Sequence, residues 1–165
     1  MSDVEQPREQ RRGRAIAMSP EERDAFLAEE RTCRVATVGG DGGPHVAPLW
    51  FVWDGAALWL NSIVKSQRWT DLAGDPRVAV VVDAGTEFEE LRGVEITGRA
   101  EVVGDVPRGI GRVPELAEVV PVYARRYRGT DEFTPDGRHG WLRVVPEKIA
   151  SWDFRKNPAL RGAGA

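Results

Sequence analysis

The feature that most constrains this chain is a row of short strand-like segments joined by very short connections. Residues 32–38, 44–53 and 56–60 each have the β-branched, aromatic and partly alternating character of strands. A glycine-rich turn at residues 39–43 and an Asp54-Gly55 turn connect them. Because such short connections join neighbouring strands as hairpins, the three segments predict an antiparallel meander.

Four further strands are expected later in the chain, at residues 77–83, 91–103, 141–145 and 148–154. The first is a continuous apolar run, which predicts burial on both faces. Gly93 and Gly98 interrupt the second at places where a curved barrel strand would bend. About seven strands in closely spaced hairpins predict a mainly β (α+β) protein. The expected architecture is an antiparallel split β-barrel of six to seven strands, because a barrel hides strand edges.

Three short helices are expected beside these strands. Ser19 and Glu22 have the spacing of a capping box, and the proline between them suits a first helical turn, so a helix of about three turns should follow. A polar stretch over residues 61–75 has helical spacing and ends at an Asp-Pro pair. Residues 112–128 predict the third helix, which Pro121 would kink or divide.

The 165 residues leave room for one domain with one hydrophobic core. We expect this domain over residues 19–156, between a flexible N-terminal arm at 1–18 and a flexible tail at 157–165. The 23 basic and 26 acidic side chains nearly cancel, which excludes a chain-wide basic surface for nucleic acid. No apolar run approaches the roughly 20 residues of a membrane span. The single Cys33 cannot form an internal disulfide, which favours a cytoplasmic protein.

The strongest candidate site lies where the third strand gives way to a polar segment and a helix. Basic residues at a helix start oppose the helix dipole, which favours anions there, so a bound anion would explain them. Backbone N–H groups, two hydroxyls and two cations would then converge on a phosphate. The side chains concerned are Ser62, Lys65, Ser66 and Arg68. The alternative is a solvated surface helix whose charges have no ligand.

The second strand is unusually aromatic, and this permits two interpretations. Its aromatic side chains are those expected of barrel core packing. Alternatively, Pro48 removes a ladder donor and creates a bulge or an edge. A bulge there would turn backbone amides and flat side chains toward a planar ring, as in an apolar cofactor pocket with a few polar groups.

The remaining chemically interesting side chains indicate no catalytic group. His45 and His139 are expected to be ordinary surface or loop histidines, and Cys33 a small core residue rather than a nucleophile. With two histidines and one cysteine, no metal site is expected. The catalytic residues, if the chain has any, stay unassigned at this stage.

Four segments together carry a family resemblance: "RTCRVATVGGDGGPHVAPLWFVWDG", "LWLNSIVKSQRWTDLAGDPRVAVVVD", "LRGVEITGRAEVV" and "KIASWDF". Their order, with K-S-x-R after the third strand and D-P-R-V opening the next, resembles the pyridoxamine 5'-phosphate oxidase-like split β-barrel proteins. The likeness covers residues 20–156 and is greatest to the actinobacterial branch of flavin/deazaflavin oxidoreductases.

The resemblance implies a homodimer with a cofactor cleft at each side of the subunit interface. The ring would lie beside His45, Val46, Ala47, Pro48, Leu49 and Trp50. The phosphate would be held by Asn61, Ser62, Lys65, Ser66 and Arg68. Trp152 would contact the ring or the interface, or serve in packing.

The resemblance also implies a redox cofactor. This branch often uses the deazaflavin coenzyme F-420 in place of FMN, and some members bind haem or biliverdin. The expected activity is hydride transfer between F-420 and a small unsaturated or quinone-like substrate. The alternatives are an FMN-binding oxidoreductase and a non-enzymatic cofactor- or haem-binding protein. Because the arginine-rich C-terminal motif of pyridoxamine phosphate oxidases is missing, oxidation of pyridoxamine phosphate is not expected.

Overall fold

Six antiparallel strands close into a barrel in the order β1-β2-β3-β6-β5-β4. The computed structural model describes residues 6–161. The strands are β1 Thr32–Val38, β2 Pro44–Trp53, β3 Leu58–Ile63, β4 Arg77–Ala84, β5 Arg92–Val103 and β6 His139–Asp153. The predicted mainly β, antiparallel barrel of six to seven strands is therefore confirmed, with six.

The last strand, β6, joins two segments that the sequence divided around Pro146. It pairs with β5 from Arg92↔Asp153 to Val103↔Trp141, with a register shift beside Gly98. A Cβ at Gly98 would lie 2.0 Å from the Val145 carbonyl oxygen, so this close approach requires a glycine. Glu147 of β6 is the residue skipped by this shift, so a bulge accommodates the proline. The pairing stays in step at Gly93, and the bends expected at Gly93 and Gly98 stay predictions.

The barrel interior is filled by alternate residues of the strands. In β4, Val78, Val80 and Val82 are buried, whereas Ala79 and Val81 are only half-buried. The prediction that this strand is buried on both faces is therefore wrong. In a barrel with side chains alternating along each strand, one face of β4 points into the core and the other points outward.

Four α-helices accompany the barrel within the described residues: α1 Pro20–Glu29, α2 Gln67–Gly74, α3 Val119–Arg128 and α4 Pro158–Arg161. The capping box predicted at the start of α1 is present, since Ser19 and Glu22 bond each other's backbone N–H groups. This helix places Phe26 and Leu27 in the barrel core. The helix α3 packs on the outside of the barrel, where Tyr123 joins a second cluster with Trp59 and Trp141.

Two helix predictions need correction at their starts. The helix expected over residues 61–75 begins only at Gln67, because β3 continues through Ile63 and pairs with β6 as far as His139. The helix expected over residues 112–128 is a 3-10 turn, Pro114–Leu116, followed by α3. Pro121 lies in the first turn of α3, where its missing N–H removes no helical hydrogen bond, so it does not divide the helix.

The N-terminal arm lies along β6 from Arg8 onward. The Arg8 N–H donates to the Glu147 carbonyl over 2.8 Å. Gln10 exchanges hydrogen bonds with the Ser151 backbone, and the Met18 N–H donates to the Ser151 hydroxyl over 2.9 Å. The first five residues and the last four lie outside the described part of the chain. The division into arm, domain and tail stays a prediction. No helix within residues 6–161 is long and apolar enough to cross a bilayer.

Candidate functional site

The barrel has a gap between β2 and β3, because these two strands pair over only three residues each. β2 pairs with β1 along seven residues, Pro44 to Trp50, but pairs with β3 only between Phe51↔Leu60 and Trp53↔Leu58. The preceding residues of β2, 44–50, therefore have a free edge. The register with β1 stays in step through Arg34↔Pro48. Of the two possibilities predicted for Pro48, the structure thus shows an edge and not a bulge.

The free edge offers a small number of backbone donors. Phe51 directs its N–H to the Tyr127 hydroxyl over 3.2 Å, and that hydroxyl also lies 2.8 Å from the Arg31 carbonyl, on the β1 side. Since strand N–H groups alternate in direction, Pro44 and Pro48 fall on the free edge together with Val46 and Trp50. Prolines have no N–H. The edge therefore presents the N–H groups of Val46 and Trp50.

The side chains of the predicted ring site lie on two faces of β2. Ala47 and Leu49 share the inward face with His45, whereas Val46 is 63% exposed on the outer face. Trp50 also faces outward and stacks on Tyr127 of α3, with ring centroids 4.7 Å apart and planes 7° apart. A single ligand therefore does not contact all six predicted residues through their side chains. Tyr127 was missed, since the sequence shows it only as one residue in an arginine-rich helix end.

The predicted phosphate residues also divide between two faces, because Asn61 and Ser62 belong to β3. Ser62 is fully buried on the inward face and its hydroxyl accepts from Arg68 Nε over 3.2 Å. Asn61 is 3% exposed and lies on the opposite face, beside Trp141 of β6. Its Nδ2 is a buried donor without a partner among the described residues. Ser62 and Arg68 are therefore in contact with each other. The Asn61 side chain lies on the opposite face of β3 and does not join them.

Arg68 is the central cation of this group. It is only 6% exposed, and no carboxylate within residues 6–161 lies in ion-pair distance of it. Burial lowers the pKa of its guanidinium, because desolvation penalises the charged form. A buried cation without a counter-charge is costly unless an anion reaches it. Arg68 thus supports the interpretation of the helix start as an anion site.

The other two members of the group lie at the start of α2. Lys65 is exposed in the turn that precedes the helix. Ser66 is the N-cap, and its hydroxyl accepts from the Trp69 N–H over 3.2 Å. Only Arg68 lies in the first helical turn, so the predicted crowding of cations there is smaller than expected. Lys65, Ser66 and Arg68 nevertheless surround one end of α2.

A second polar group was not predicted: it consists of His45, Thr37 and two residues of α2. Asp71 is buried, and its carboxylate accepts from Thr37 Oγ1 and from Gln67 Nε2, each over 2.7 Å. These bonds, the one from Gln67 first, hold the pKa of Asp71 below its usual value. His45 Nδ1 lies 3.7 Å from the same carboxylate. His45, Gln67 and Asp71 line a cavity of about 340 Å³ beside the β1–β2 turn.

Trp152 does not join these residues within one chain. It pairs with Gly93 near the end of β6, where its ring lies 2.3 Å from the position of a Cβ on that glycine. Asn61 pairs with Trp141, which lies eleven positions earlier on the same strand. At a rise of about 3.3 Å per residue, roughly 36 Å of curved strand separates these two places, which lie toward opposite ends of β6. A second subunit would be required to bring Trp152 to the cleft.

The other reactive side chains are held by structural partners. Cys33 is fully buried, and burial raises the pKa of its thiol to about 12, so it is no nucleophile at neutral pH. His139 Nδ1 lies 2.6 Å from Asp136 Oδ2. Within the part of the chain that the structure describes, no group of three or more His, Cys, Asp or Glu side chains could hold a metal ion.

Fold and site together define a split-barrel protein with a basic helix start beside an open strand edge. Residues 19–153 match the family model described as pyridoxamine 5'-phosphate oxidase. A conserved hypothetical protein, Rv2991 from Mycobacterium tuberculosis, is 33% identical over 90% of this chain and 92% of that chain, with a TM-score of 0.71. The chain therefore belongs to the pyridoxamine 5'-phosphate oxidase family.

Other solved structures share the fold with different named roles. A protein described as an F420 reductase is 27% identical, with a TM-score of 0.60, over 79% of this chain and 98% of that chain. The haem storage protein HutZ from Vibrio cholerae is 16% identical, with a TM-score of 0.60, over 76% of this chain and 88% of that chain. No curated protein matches the sequence. The same fold therefore occurs in a protein described as an F420 reductase and in one described as a haem storage protein.

Proposed function

We propose that this protein is an oxidoreductase that transfers a hydride between coenzyme F-420 and a small unsaturated or quinone-like substrate. The observation that carries the proposal is Arg68, a buried cation that lacks a carboxylate partner among the described residues and lies against Ser62 at the start of α2. The likeness to an F420 reductase, at 27% identity, supports the choice of cofactor.

The residues present fit such a cofactor. Lys65 and Arg68 would hold the anionic tail through charge-assisted hydrogen bonds. The unpartnered Nδ2 of Asn61 and the free N–H groups of Val46 and Trp50 suit a ring that carries carbonyl acceptors. The N–H groups of Val46 and Trp50 are already fixed by strand β2, so ordering them for a ligand loses little conformational entropy.

The cofactor, when bound, supplies a ring carbon that accepts and donates hydride. The chain's own contribution is to bind, orient and exclude water. The stacked rings of Trp50 and Tyr127 form a rigid wall beside the free edge of β2. Cys33 is buried inside the barrel, so the proposed reaction uses no protein nucleophile.

We propose further that two copies form a homodimer in the cytoplasm. On the outward face of β2, Val46 is 63% exposed and Trp50 is 44% exposed, and Val46 pairs with Ala36 of β1. Arg34 and Asp83 form an exposed ion pair on the neighbouring part of this face. Such a face is typical of a subunit interface. The dimer would also bring Trp152 of the partner subunit toward the cleft. The single buried cysteine suits a reducing compartment.

An FMN-binding oxidoreductase is the second candidate. The anion site at Arg68 suits the phosphate of FMN as well as that of F-420, since both offer charged oxygens to the same guanidinium. The choice between them depends on the ring and not on the phosphate. A haem-binding protein remains the non-enzymatic alternative.

Titration of the purified protein with F-420 and with FMN tests the proposal. We expect F-420 to bind, and Lys65→Ala to weaken its binding about tenfold or more, because a charge-assisted contact contributes about 1.5–3 kcal/mol. Arg112→Ala is the control, since Arg112 is an exposed arginine with no ion pair to a described residue. Tight FMN binding with no F-420 binding would favour the second candidate. A Soret band on haem addition, with neither cofactor bound, would exclude both oxidoreductases.

A further inference from the structure

A second basic region lies far from the helix start, between the N-terminal arm and β6. There the arm and the outer side of β6 enclose a cavity of about 620 Å³. Its lining includes four cationic side chains: Arg8, Arg11, Arg12 and Lys148. Only one acidic side chain, Glu9, lines the cavity as well, and its carboxylate is paired with Arg14 outside it.

The arm that carries three of these cations is held in a fixed register. The Arg8 N–H donates to the Glu147 carbonyl, and Gln10 bonds both backbone groups of Ser151, over 2.9 and 3.0 Å. The Gln10 amide also donates to the Arg12 carbonyl over 2.8 Å. The backbone around the cavity is therefore anchored at several points, and the cationic side chains project from an ordered frame.

Glu9 is the one acidic side chain among residues 6–161 that lines this cavity, and its ion pair is with Arg14 and not with any of the four cations. None of them forms an ion pair with a described carboxylate, and none lies over an aromatic ring. The protein as a whole carries a net charge of −3, so this concentration of positive charge opposes the overall sign. Like charges held close together repel each other, and a bound anion would remove that repulsion.

We propose that this cavity is a second anion-binding site, for a small multivalent anion that carries phosphate or carboxylate groups. Guanidinium groups match both groups through paired N–H donors, and a lysine adds a point charge. A volume of about 620 Å³ is in the range of small-molecule pockets. The proposal does not depend on the cofactor assigned above, because the cavity lies on the outer side of β6 and shares no residue with the start of α2.

Isothermal titration with pyrophosphate and with citrate, at low ionic strength, tests this site. We expect the double variant Arg11→Gln/Arg12→Gln to weaken binding about tenfold or more for the anion that binds. The matched control is Arg112→Gln/Arg138→Gln, which changes the net charge equally at two exposed arginines elsewhere. This control should alter the affinity less than twofold.

Lys148→Gln provides an independent variant, because this residue belongs to β6 and not to the arm. It should weaken the same anion in a similar way, even if the arm variants shift the arm. Binding of pyrophosphate alone would assign the site to phosphate groups, and binding of citrate alone to carboxylates. Three results would overturn the proposal: no binding of either anion, equal weakening by the control, or complete loss of binding in Lys65→Ala.

Discussion

Arg68 and Asp71 lie three residues apart on one short helix and are both buried, yet they have opposite kinds of surroundings. Asp71 receives two neutral hydrogen bonds and faces His45. Among the described residues, Arg68 has one hydrogen-bond partner, the Ser62 hydroxyl. At the residue scale, the proposed anion site is thus a buried charge without a counter-charge among residues 6–161, whereas the Asp71 carboxylate is hydrogen-bonded by Thr37 and Gln67.

The pH dependence of stability should reveal the Asp71 group. Its folded pKa is lowered, so its carboxylate stabilises the fold above the unfolded pKa of about 3.8, and this contribution is lost as pH falls through the folded value. Asp71→Asn removes the titrating group. The unfolding free energy of the wild type should exceed that of the variant by a constant amount above about pH 5. This difference should decrease as the pH falls below that value.

Urea denaturation of both proteins between pH 2 and pH 7 measures this difference. Asp41→Asn is the control, because Asp41 is an exposed aspartate in the neighbouring turn. A difference between wild type and Asp71→Asn that does not change with pH would contradict the assignment of the shift to Asp71.

The sequence indicated Arg68 but not Asp71, because the buried face of α2 carries charged side chains. Residues three and four apart share one face of a helix, so the position of Arg68 places Asp71 and Leu72 beside it. With Ser66 as the N-cap, Arg68, Asp71 and Leu72 point toward the barrel. Because two of these three are charged, no apolar period could reveal that face.

At the scale of elements, strand ends were harder to predict than strands. The polar pair Asn61 and Ser62 indicated the end of β3, but hydrogen bonds to β6 continue the strand through Ile63. Pro146 likewise indicated a break in β6, which a bulge at Gly98 instead accommodates. In both cases pairing with a distant strand decides the outcome, and a single segment does not contain that information.

Gly98→Ala should show how much the bulge contributes. The added Cβ would lie 2.0 Å from the Val145 carbonyl oxygen, which forces β5 and β6 apart. We expect a loss of about 1–3 kcal/mol in the free energy of unfolding, as is typical of overpacking. Thermal and urea denaturation measure it.

Gly111→Ala is the matched control for that experiment. A Cβ at Gly111 meets no atom within 4 Å, and its φ is not in the left-handed region. This variant should stay within about 0.5 kcal/mol of the wild type. If both variants lose the same stability, the close approach at Gly98 is not what makes the glycine necessary.

At the scale of the whole molecule, the six strands close into a barrel, yet the edge of β2 over residues 44–50 is unpaired with β3 and the apolar side chains of Val46 and Trp50 are exposed. The antiparallel order, the capping box and the helix that fills one end follow from short-range patterns in the sequence. The position of the split does not, because it depends on where β2 and β3 diverge in space. The proposed dimer would cover both features, and Trp152 would gain a role that its place on one chain does not provide.

Val46→Glu tests the proposed dimer. A carboxylate on this exposed face would be buried without a partner at the interface, which is costly. We expect the variant to be monomeric at concentrations where the wild type is dimeric, as measured by size-exclusion chromatography with light scattering. Ile110→Glu is the control, since Ile110 is 95% exposed in a loop. A monomeric wild type would contradict the homodimer.

The two prolines on the open side of β2 have a consequence for how the protein behaves in concentrated solution. A bare strand edge is a template on which another chain can grow a β-aggregate. Pro44 and Pro48 interrupt that template, because neither proline has a backbone N–H to donate to an added strand. A small ligand can bind through only one or two of the remaining N–H groups, whereas a strand from another chain would need hydrogen bonds along the whole edge. The same edge can therefore admit a ligand and still resist aggregation.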